Sequence, residues 1–404
     1  MRKNIIAICL ILQSFAAFSQ SKYLSDFNYF WETINTEYAY FDAKQTNWQK
    51  VKEVYSKRLN SIKEDWEFTY LIELMKHELY DAHFTLNKNL AFSFRLIPND
   101  VDAFVSLKNN KYYITDIRDN YTIKKFNLKI DDELIVVNDT SFKDLVKKNL
   151  PISIKKPDNK VKEYFANLIF AGRHNQPRKI KVLRKGKFIT LKLPKPNLKK
   201  YNSKLLDYKL LSGNIGYIRI NNSLGNNNLI QQFPKAVDSL HNSLHNSKAI
   251  IIDLRNTANG GNTDVAKSIM GKFIKEEMPY QIHERVGLER AFGIKRKYIE
   301  LLSPLKNPYK KPVYVLVSRW TGSVGEAIAQ GFSNMENVTV VGTTMAKLLG
   351  AIKCKQLQNS GIRFCYPFEK LYNVNGLPRE HFKPDFTTNS YKETYLKALE
   401  LIDE

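Results

Sequence analysis

The spacing of apolar residues changes along the chain, and the change divides it into regions. After about residue 205, short apolar runs alternate with segments in which apolar residues recur at helical spacing. The apolar runs lie at 215–220, 249–254, 313–317 and 338–344, and the helical segments at 229–244, 265–273 and 326–330. Strands that are buried on both faces and separated by helices are typical of an α/β core with a largely parallel sheet.

The preceding part of the chain has two other patterns. Between about residues 25 and 90, aromatic and aliphatic residues recur every three or four positions, which predicts helices around 27–38 and 68–75. Between about 90 and 195, short alternating runs predict strands at 101–105, 112–117, 133–138 and 180–183. We therefore expect a helical module at 21–88, a β-rich domain at 89–195, a linker over 193–200 and the α/β core at 205–404.

Residues 1–20 have the composition of a targeting segment. A basic start at Arg2 and Lys3 precedes an apolar run at 5–12, and small residues follow at alternate positions over 17–21. This pattern predicts a secretory signal peptide that is cleaved after Ser19 or Gln20. The apolar run is too short for a comfortable membrane span, and no later stretch is longer. We expect export to the periplasm or the medium, without stable membrane insertion.

Charge and cysteine content narrow the possible partners. The 404 residues carry a formal charge of +23, but the lysines are dispersed and are not interleaved with stacking aromatics. We therefore expect attraction to anionic surfaces or acidic polymers and no nucleic-acid partner. No Cys/His cluster has metal-ligand spacing, so neither a metal nor an organic cofactor is expected. The sequence leaves the oligomeric state open.

Cys354 and Cys365 are the cysteines that remain once the signal segment is removed. They flank two predicted strands joined by a tight turn at Asn359-Ser360, and counting outward from the turn places them opposite each other. In an oxidising compartment such a pair can form a cross-strand disulfide. Two buried thiols are the alternative, which the sequence alone leaves open.

Ser323 lies where the apolar run ending at Val317 gives way to a predicted helix from Glu326. The first N–H groups of a helix have no internal partner, and the helix dipole places positive potential there. A serine at such a turn can act as a nucleophile, with the amides stabilising the oxyanion that forms beside it. The alternative is that Thr321 or Ser323 only caps the helix.

Two stretches resemble known families. Residues 132–139, Asp-Glu-Leu-Ile-Val-Val-Asn-Asp, resemble the G-D-x-I-x-x-I-N-G stretch of PDZ domains, with Asp131 and Asp139 in place of its first and last glycines. Residues 253–261 resemble the D-L-R-x-N-x-G-G signature of C-terminal-processing serine peptidases, with one extra residue before the glycine pair. Residues 319–326, Arg-Trp-Thr-Gly-Ser-Val-Gly-Glu, resemble the R-x-T-A-S-A-G-E signature of the same family.

The amino-terminal residues specify the branch of this family. Trp31, Tyr38, Tyr40-Phe41 and Asn47-Trp48, followed by Asp81-Ala82-His83, are similar to the tricorn-core branch of the tail-specific peptidases. The resemblance implies a core of the Clp-protease and crotonase type, a PDZ-like insert and an amino-terminal helical cap.

The resemblance also implies site residues. Ser323 is then the nucleophile, His83 the general base and Glu380 the carboxylate that orients the imidazole. The oxyanion donors are Gly260 or Gly261 together with Val324. Ala82 departs from the branch, which often has a serine there, and His381 could compete with its neighbour Glu380 for either role.

A lysine-dependent branch of the family provides an alternative base, Lys347. It falls one position before the expected place, which on a strand turns its side chain to the opposite face.

We therefore expect an exported serine endopeptidase that cleaves unfolded or carboxyl-terminal polypeptide segments through an acyl-enzyme. Two alternatives remain from the sequence. One is a non-catalytic relative that binds apolar ligands in the same cleft, as retinoid-binding relatives do. The other is a peptide-binding scaffold that acts through the PDZ-like insert.

Overall fold

A computed structural model describes residues 23–118, 126–193, 204–242 and 246–404. The predicted signal segment and the linker after Leu193 lie outside these ranges. The helices are α1 (23–37), α2 (Trp48–Leu59), α3 (Asp65–His77), α4 (Phe142–Asn149), α5 (Asn159–Ala171), α6 (Leu229–Leu240), α7 (Thr263–Gly271), α8 (Val286–Phe292), α9 (Val324–Phe332) and α10 (Tyr391–Asp403).

Strands form three sheets. The strands are β1 (Thr85–Leu86), β2 (Ala103–Lys108), β3 (Lys111–Ile117), β4 (Glu133–Val137), β5 (Thr140–Ser141), β6 (Arg178–Arg184), β7 (Lys187–Leu193), β8 (Leu206–Leu211), β9 (Ile215–Ile220), β10 (Ala249–Asp253), β11 (Met278–Glu284), β12 (Lys297–Leu302), β13 (Val313–Val317), β14 (Val338–Gly342), β15 (Ala351–Gln356), β16 (Arg363–Tyr372) and β17 (Phe386–Thr387).

Helices α1, α2 and α3 form the amino-terminal module around an aromatic core. Phe27, Phe30 and Tyr38 are fully buried, as the helical spacing predicts. Trp31 and Trp48 lock α1 to α2, because each indole N–H donates to the other residue's backbone carbonyl at 3.0 and 3.1 Å. Large aromatic side chains bury much apolar area for their number, and this core continues into Phe364 and Tyr366 of β16.

The β-rich domain is an antiparallel sheet in the order β2-β3-β4-β6-β7, with α4 and α5 packed on it. The four predicted strands are present, whereas α4, α5 and β7 were not predicted. Asp131 and Asp139 have φ of 67° and 61°, the left-handed region in which the PDZ pattern uses glycine. Aspartate tolerates this conformation better than most residues, so the turns survive both departures.

Helix α5 covers the outer edge of this sheet at β2. The side-chain amide of Asn167 accepts from the Val105 N–H at 2.9 Å and donates to the Val105 carbonyl at 2.8 Å. The carboxylate of Glu163 accepts from the Leu107 N–H at 3.1 Å. Three backbone groups on the outer edge of β2 therefore already have partners on α5.

The α/β core is a sheet in the order β17-β14-β13-β10-β9-β8, parallel except for β8. Helices α6, α7 and α9 pack on one face, and α10 covers the other. The predicted helix at 229–244 is shorter than expected, because α6 ends at Leu240 with His241 as its cap. Parallel strands end at the same edge of a sheet, so the loops after Asp253, Val317 and Gly342 meet there.

The third sheet links the two ends of the chain. Its order is β1-β16-β11-β12, with β15 also paired to β16. Strand β1 begins two residues after His83, β15 follows Leu349, and β16 leads toward Glu380. The sheet therefore brings the segment that carries His83 next to the core. Strands β11 and β12 and helix α8 were not predicted.

Cys354 and Cys365 are directly opposite each other in the β15–β16 pair and form a disulfide, which settles the alternative that the sequence left open. The connection is longer than the predicted tight turn, since β15 ends at Gln356 and β16 begins at Arg363. Asp26 from α1 accepts the N–H groups of Asn359 and Ser360 at 3.1 and 2.7 Å. A side chain of the helical module therefore holds this loop together with two local backbone bonds, from the Leu357 N–H to the Ile362 carbonyl at 2.8 Å and from the Gly361 N–H to the Leu357 carbonyl at 3.0 Å.

Candidate active site

Ser323 lies at the turn between β13 and α9, in a conformation that is unusual for its residue type. Its φ is 53°, a left-handed value that costs roughly 1–3 kcal/mol for a residue other than glycine. Neighbouring contacts maintain it: the Thr257 N–H donates to the Trp320 carbonyl at 2.9 Å, and the Gly322 N–H to the Thr257 carbonyl at 3.3 Å. Such outliers concentrate at functional sites.

Glu326, one turn into α9, binds three backbone amides. Its carboxylate accepts from the N–H groups of Ser323 at 2.8 Å, Lys347 at 2.8 Å and Leu348 at 3.0 Å. Burial raises the pKa of Glu326 to about 7, although these amides and the nearby Arg379 guanidinium act in the opposite direction. The carboxylate therefore ties the turn at Ser323 to the loop over residues 345–350. Glu326 is the last residue of the signature at 319–326, and this position is the sequence feature that indicates a role in the site.

The glycine pair approaches Ser323 closely. A Cβ on Gly260 would lie 2.4 Å from the Ser323 Cβ, and Gly260 has a φ of 63°. The Gly260 N–H is already used, because it donates to the Thr257 carbonyl at 3.0 Å. The N–H groups of Gly261 and Val324 have no acceptor among the described residues. Of the two glycines that the motif offered, the geometry therefore favours Gly261 as the partner of Val324 in holding an oxyanion.

His83 is buried and lies beside the same 345–350 loop. Its Nδ1 is 2.6 Å from the Leu349 carbonyl, so Nδ1 carries the proton and Nε2 keeps its lone pair. Burial lowers the pKa of His83 to about 4, which makes the imidazole neutral near pH 7. Asp81 supports the segment, since its carboxylate accepts from the His83 N–H at 2.9 Å and from the Tyr38 hydroxyl at 2.6 Å.

Glu380 and His381, the predicted residues near the carboxyl terminus, lie in a short 3₁₀ helix, Arg379–His381, that contacts α9. One carboxylate oxygen of Glu380, Oε2, is buried and has no hydrogen-bond partner among the described residues. The proton that Glu380 was predicted to hold on His83 goes instead to Leu349. His381 is exposed, in agreement with a surface role.

Arg379 is a buried residue that the sequence reasoning missed. Its guanidinium donates to the carbonyls of Leu348 and Gly350 at 2.8 and 3.0 Å, so it braces the loop that also holds His83. Arg379 lies in an irregular segment, where the spacing of apolar residues does not indicate which side chains are buried. Its burial therefore becomes evident only from the fold.

Lys347, the alternative base, is exposed and has a φ of 59°. Burial of part of its side chain lowers the pKa of Lys347, and the nearby charges of Arg319 and Lys160 act in the same direction. Lys160 and Glu163, which also acts on it electrostatically, belong to α5 of the β-rich domain.

The Asp253-Leu-Arg255 part of the signature is structural. The two side chains form a buried ion pair with contacts of 2.9 and 2.6 Å, and the Tyr217 hydroxyl donates to Asp253 at 2.6 Å. Burial would raise the pKa of Asp253, but the Arg255 charge lowers it to about 2. The Arg255 guanidinium also stacks on Tyr391 at 3.8 Å, which docks α10 beneath the glycine loop.

The β-rich domain contacts the same turns. The Trp320 indole donates to the Val101 carbonyl at 2.9 Å, and the Arg118 guanidinium donates to the Asn256 side chain at 2.6 and 3.0 Å. The Arg319 guanidinium stacks on Phe104 at 4.2 Å. The two signature loops are therefore held from the domain side as well as from the core.

Comparisons with known proteins identify a family for part of the chain. Residues 214–388 match the model of peptidase family S41, and residues 19–76 match the tricorn protease C1 domain. The core is an S41 peptidase domain. The two matches confirm the resemblance predicted from the motifs, and with it the assignment of the chain as a serine peptidase. No curated protein matches this chain in sequence.

Solved structures share the fold of this chain. Mature CPAF in complex with lactacystin has a TM-score of 0.61 at 14% identity, over 96% of this chain and 97% of that one. The photosystem II D1 C-terminal processing protease has 0.55 at 14%, over 92% and 93%. A putative peptidase from Parabacteroides merdae has 0.53 at 15%, over 94% and 96%. These likenesses confirm the predicted fold class.

Metal-binding clusters and membrane-spanning helices are both absent from the described residues. Within the described ranges, no group of three or more His, Cys, Asp or Glu side chains is arranged to hold a metal ion. None of the helices in the same ranges is long and apolar enough to cross a membrane.

Proposed function

We propose that this chain is an exported serine endopeptidase that cleaves unfolded or carboxyl-terminal polypeptide segments through an acyl-enzyme on Ser323. One observation carries the proposal. A serine with positive φ sits beside two amides without acceptors, and Glu326 joins it to the loop that fixes His83. A helix cap alone would not require this strained backbone or the close approach of Gly260.

The proposed reaction gives each of these groups a role. The Ser323 hydroxyl attacks a peptide carbonyl, and the neutral His83 accepts the hydroxyl proton at Nε2. The N–H groups of Val324 and Gly261 stabilise the negative oxygen of the tetrahedral intermediate, a role worth about 10²–10³ in turnover per donor. His83 then returns the proton to the leaving amine, and water hydrolyses the acyl-enzyme by the same route. Glu380 supports the imidazolium that forms transiently.

Replacement of the nucleophile tests the mechanism. We expect Ser323→Ala to abolish cleavage of a denatured, fluorescently labelled protein and labelling by a fluorophosphonate probe, while the unfolding midpoint stays near that of the parent. Ser333→Ala is the matched control, because Ser333 caps the other end of α9 and its hydroxyl only donates to Gln330. Undiminished cleavage by the Ser323 variant would rule out the assignment.

The same experiment addresses the apolar-ligand carrier. A chain that binds an apolar probe tightly but leaves Ser323 unlabelled would replace the peptidase reading with the carrier reading. Lys347→Ala separates the two candidate bases. We expect it to keep most of its activity, whereas His83→Ala should lose about 10²–10⁴-fold.

Export is supported by the composition of residues 1–20 and by the disulfide, since such bonds persist in oxidising compartments. Expression of the full chain in a bacterial host, followed by amino-terminal sequencing of the mature protein, tests this. We expect a mature start at Gln20 or Ser21 in the periplasmic or medium fraction. An uncleaved chain that stays in the cytoplasm would refute export.

A further inference from the structure

Glu380 is not bonded to His83 in this structure, so something else must direct its carboxylate. The imidazole proton is held by the Leu349 carbonyl, and the buried Oε2 of Glu380 has no partner among the described residues. The branch often places a serine at position 82, but here the residue is Ala82. The polar connection between the carboxylate and the histidine segment therefore needs another donor.

Tyr40 supplies an unused hydroxyl at this place. The residue follows α1, is 2% exposed, and its hydroxyl oxygen has no hydrogen-bond partner in the described part of the chain. The Leu371 backbone lies near the hydroxyl without a hydrogen bond of normal geometry. Among the charged groups, Glu380 acts most strongly on the hydroxyl.

Contacts with Gly350 place Tyr40 against the 345–350 loop. A Cβ added to Gly350 would lie 2.8 Å from the Tyr40 ring and 3.0 Å from its hydroxyl oxygen. Gly350 directly follows Leu349, which binds His83, and its carbonyl accepts from Arg379 at 3.0 Å. The hydroxyl therefore lies between the loop that holds the imidazole and the segment that carries Glu380.

The Tyr40 hydroxyl and the Glu380 Oε2 are both buried, and neither has a hydrogen-bond partner among the described residues. Unpaired buried polar atoms are rare because their desolvation is costly, and hydrogen bonds at catalytic sites often shorten only when substrate binds. We propose that Tyr40 is a positioning residue of the peptidase reaction, whose hydroxyl donates to Glu380 when substrate occupies the cleft and so holds the carboxylate toward His83.

This inference rests on the proposed function and deepens it. Other charged groups near the pair are Arg379 on the Glu380 segment, Asp81 beside His83, and Lys44 after the Tyr40 turn. Lys44 is partly engaged, since its ammonium lies 3.4 Å from the Tyr80 carbonyl. The Tyr372 hydroxyl donates to Glu284, so it is not available to Glu380.

Tyr40→Phe removes one oxygen atom and keeps the ring. We expect kcat on the unfolded protein substrate to fall about tenfold or more with KM nearly unchanged, because Glu380 acts on the imidazolium and not on substrate binding. The unfolding midpoint should not fall, since the lost hydroxyl had no partner. The acid limb of the kcat profile, which reports the enzyme–substrate complex in which this bond forms, should move to lower pH, because the imidazolium loses the support of the carboxylate.

The matched control is Tyr366→Phe, another buried tyrosine in the same region. Its hydroxyl donates to Glu37 at 2.6 Å, so this variant should lower the unfolding midpoint and leave kcat unchanged. Tyr40→Phe should also cause no further loss in a Glu380→Ala background, since Tyr40 acts through Glu380.

A parental kcat for Tyr40→Phe, or the same loss with and without Glu380, would overturn the inference. Neither result would affect the proposed function, which stands or falls with Ser323→Ala.

Discussion

The approach of Gly260 to Ser323 gives a quantitative prediction. In Gly260→Ala the new Cβ would start 2.4 Å from the Ser323 Cβ and 2.9 Å from its hydroxyl oxygen. Cβ atoms essentially never come closer than 3.0 Å to another heavy atom, and ordinary contact distances are about 3.5–4.0 Å. The serine must therefore shift by about 1 Å. A displacement of that size costs about 100-fold in rate, or about 2.7 kcal/mol of transition-state stabilisation.

The assay compares kcat/KM of Gly260→Ala with that of Gly213→Ala on the same denatured protein. Gly213 has a φ of 75° in the β8–β9 turn, and a Cβ there meets nothing within 4 Å. Both variants should lose about 1–2 kcal/mol of unfolding free energy, because alanine is strained at positive φ. Only Gly260→Ala should also lose about 100-fold in kcat/KM. Activities within about twofold of each other would refute the argument that the glycine loop touches the nucleophile.

Three further outcomes can be measured. Glu326→Gln leaves at least one of three backbone amides unpaired, so we expect a loss of about 1–3 kcal/mol in urea unfolding together with reduced kcat, and an unchanged kcat would contradict the tie between the two loops. Because burial lowers the pKa of His83 to about 4, kcat/KM should decline in acid only below about pH 5, and a decline centred near pH 6.5 would contradict this burial. The Cys354 and Cys365 disulfide closes a short loop, so replacing both by serine should cost about 3 kcal/mol in unfolding measurements, and no loss would indicate that packing alone holds β15 to β16.

The parts of the fold that the sequence predicted are those in which burial sets a clear period. The short apolar run 249–252 is typical of a buried strand, and the aromatic spacing of α1 leaves a single apolar face. Strands β11 and β12 escaped prediction because their buried positions are partly polar. His283 on β11 lies between Glu369 at 2.9 Å and Glu300 at 3.0 Å, so hydrogen bonds replace apolar packing there.

The residues of the site also divide into those that the sequence predicted and those that it did not. Ser323 and the glycine pair could be predicted because backbone geometry demands particular residues at those turns. The hydrogen bond from His83 to Leu349 could not, since its acceptor is a backbone carbonyl, which any residue provides. Arg379 escaped for a similar reason, because both of its acceptors are main-chain oxygens of the 345–350 loop.

Helix α5 covers one edge of the sheet in the β-rich domain, the edge formed by β2. Asn167 and Glu163 occupy on β2 the main-chain positions that an incoming peptide strand would have to bind. A polypeptide that reaches this edge would have to displace the Asn167 and Glu163 side chains before it could pair with β2 there. Capture of a chain end by strand addition at Val105 and Leu107 of β2 is thus blocked at rest.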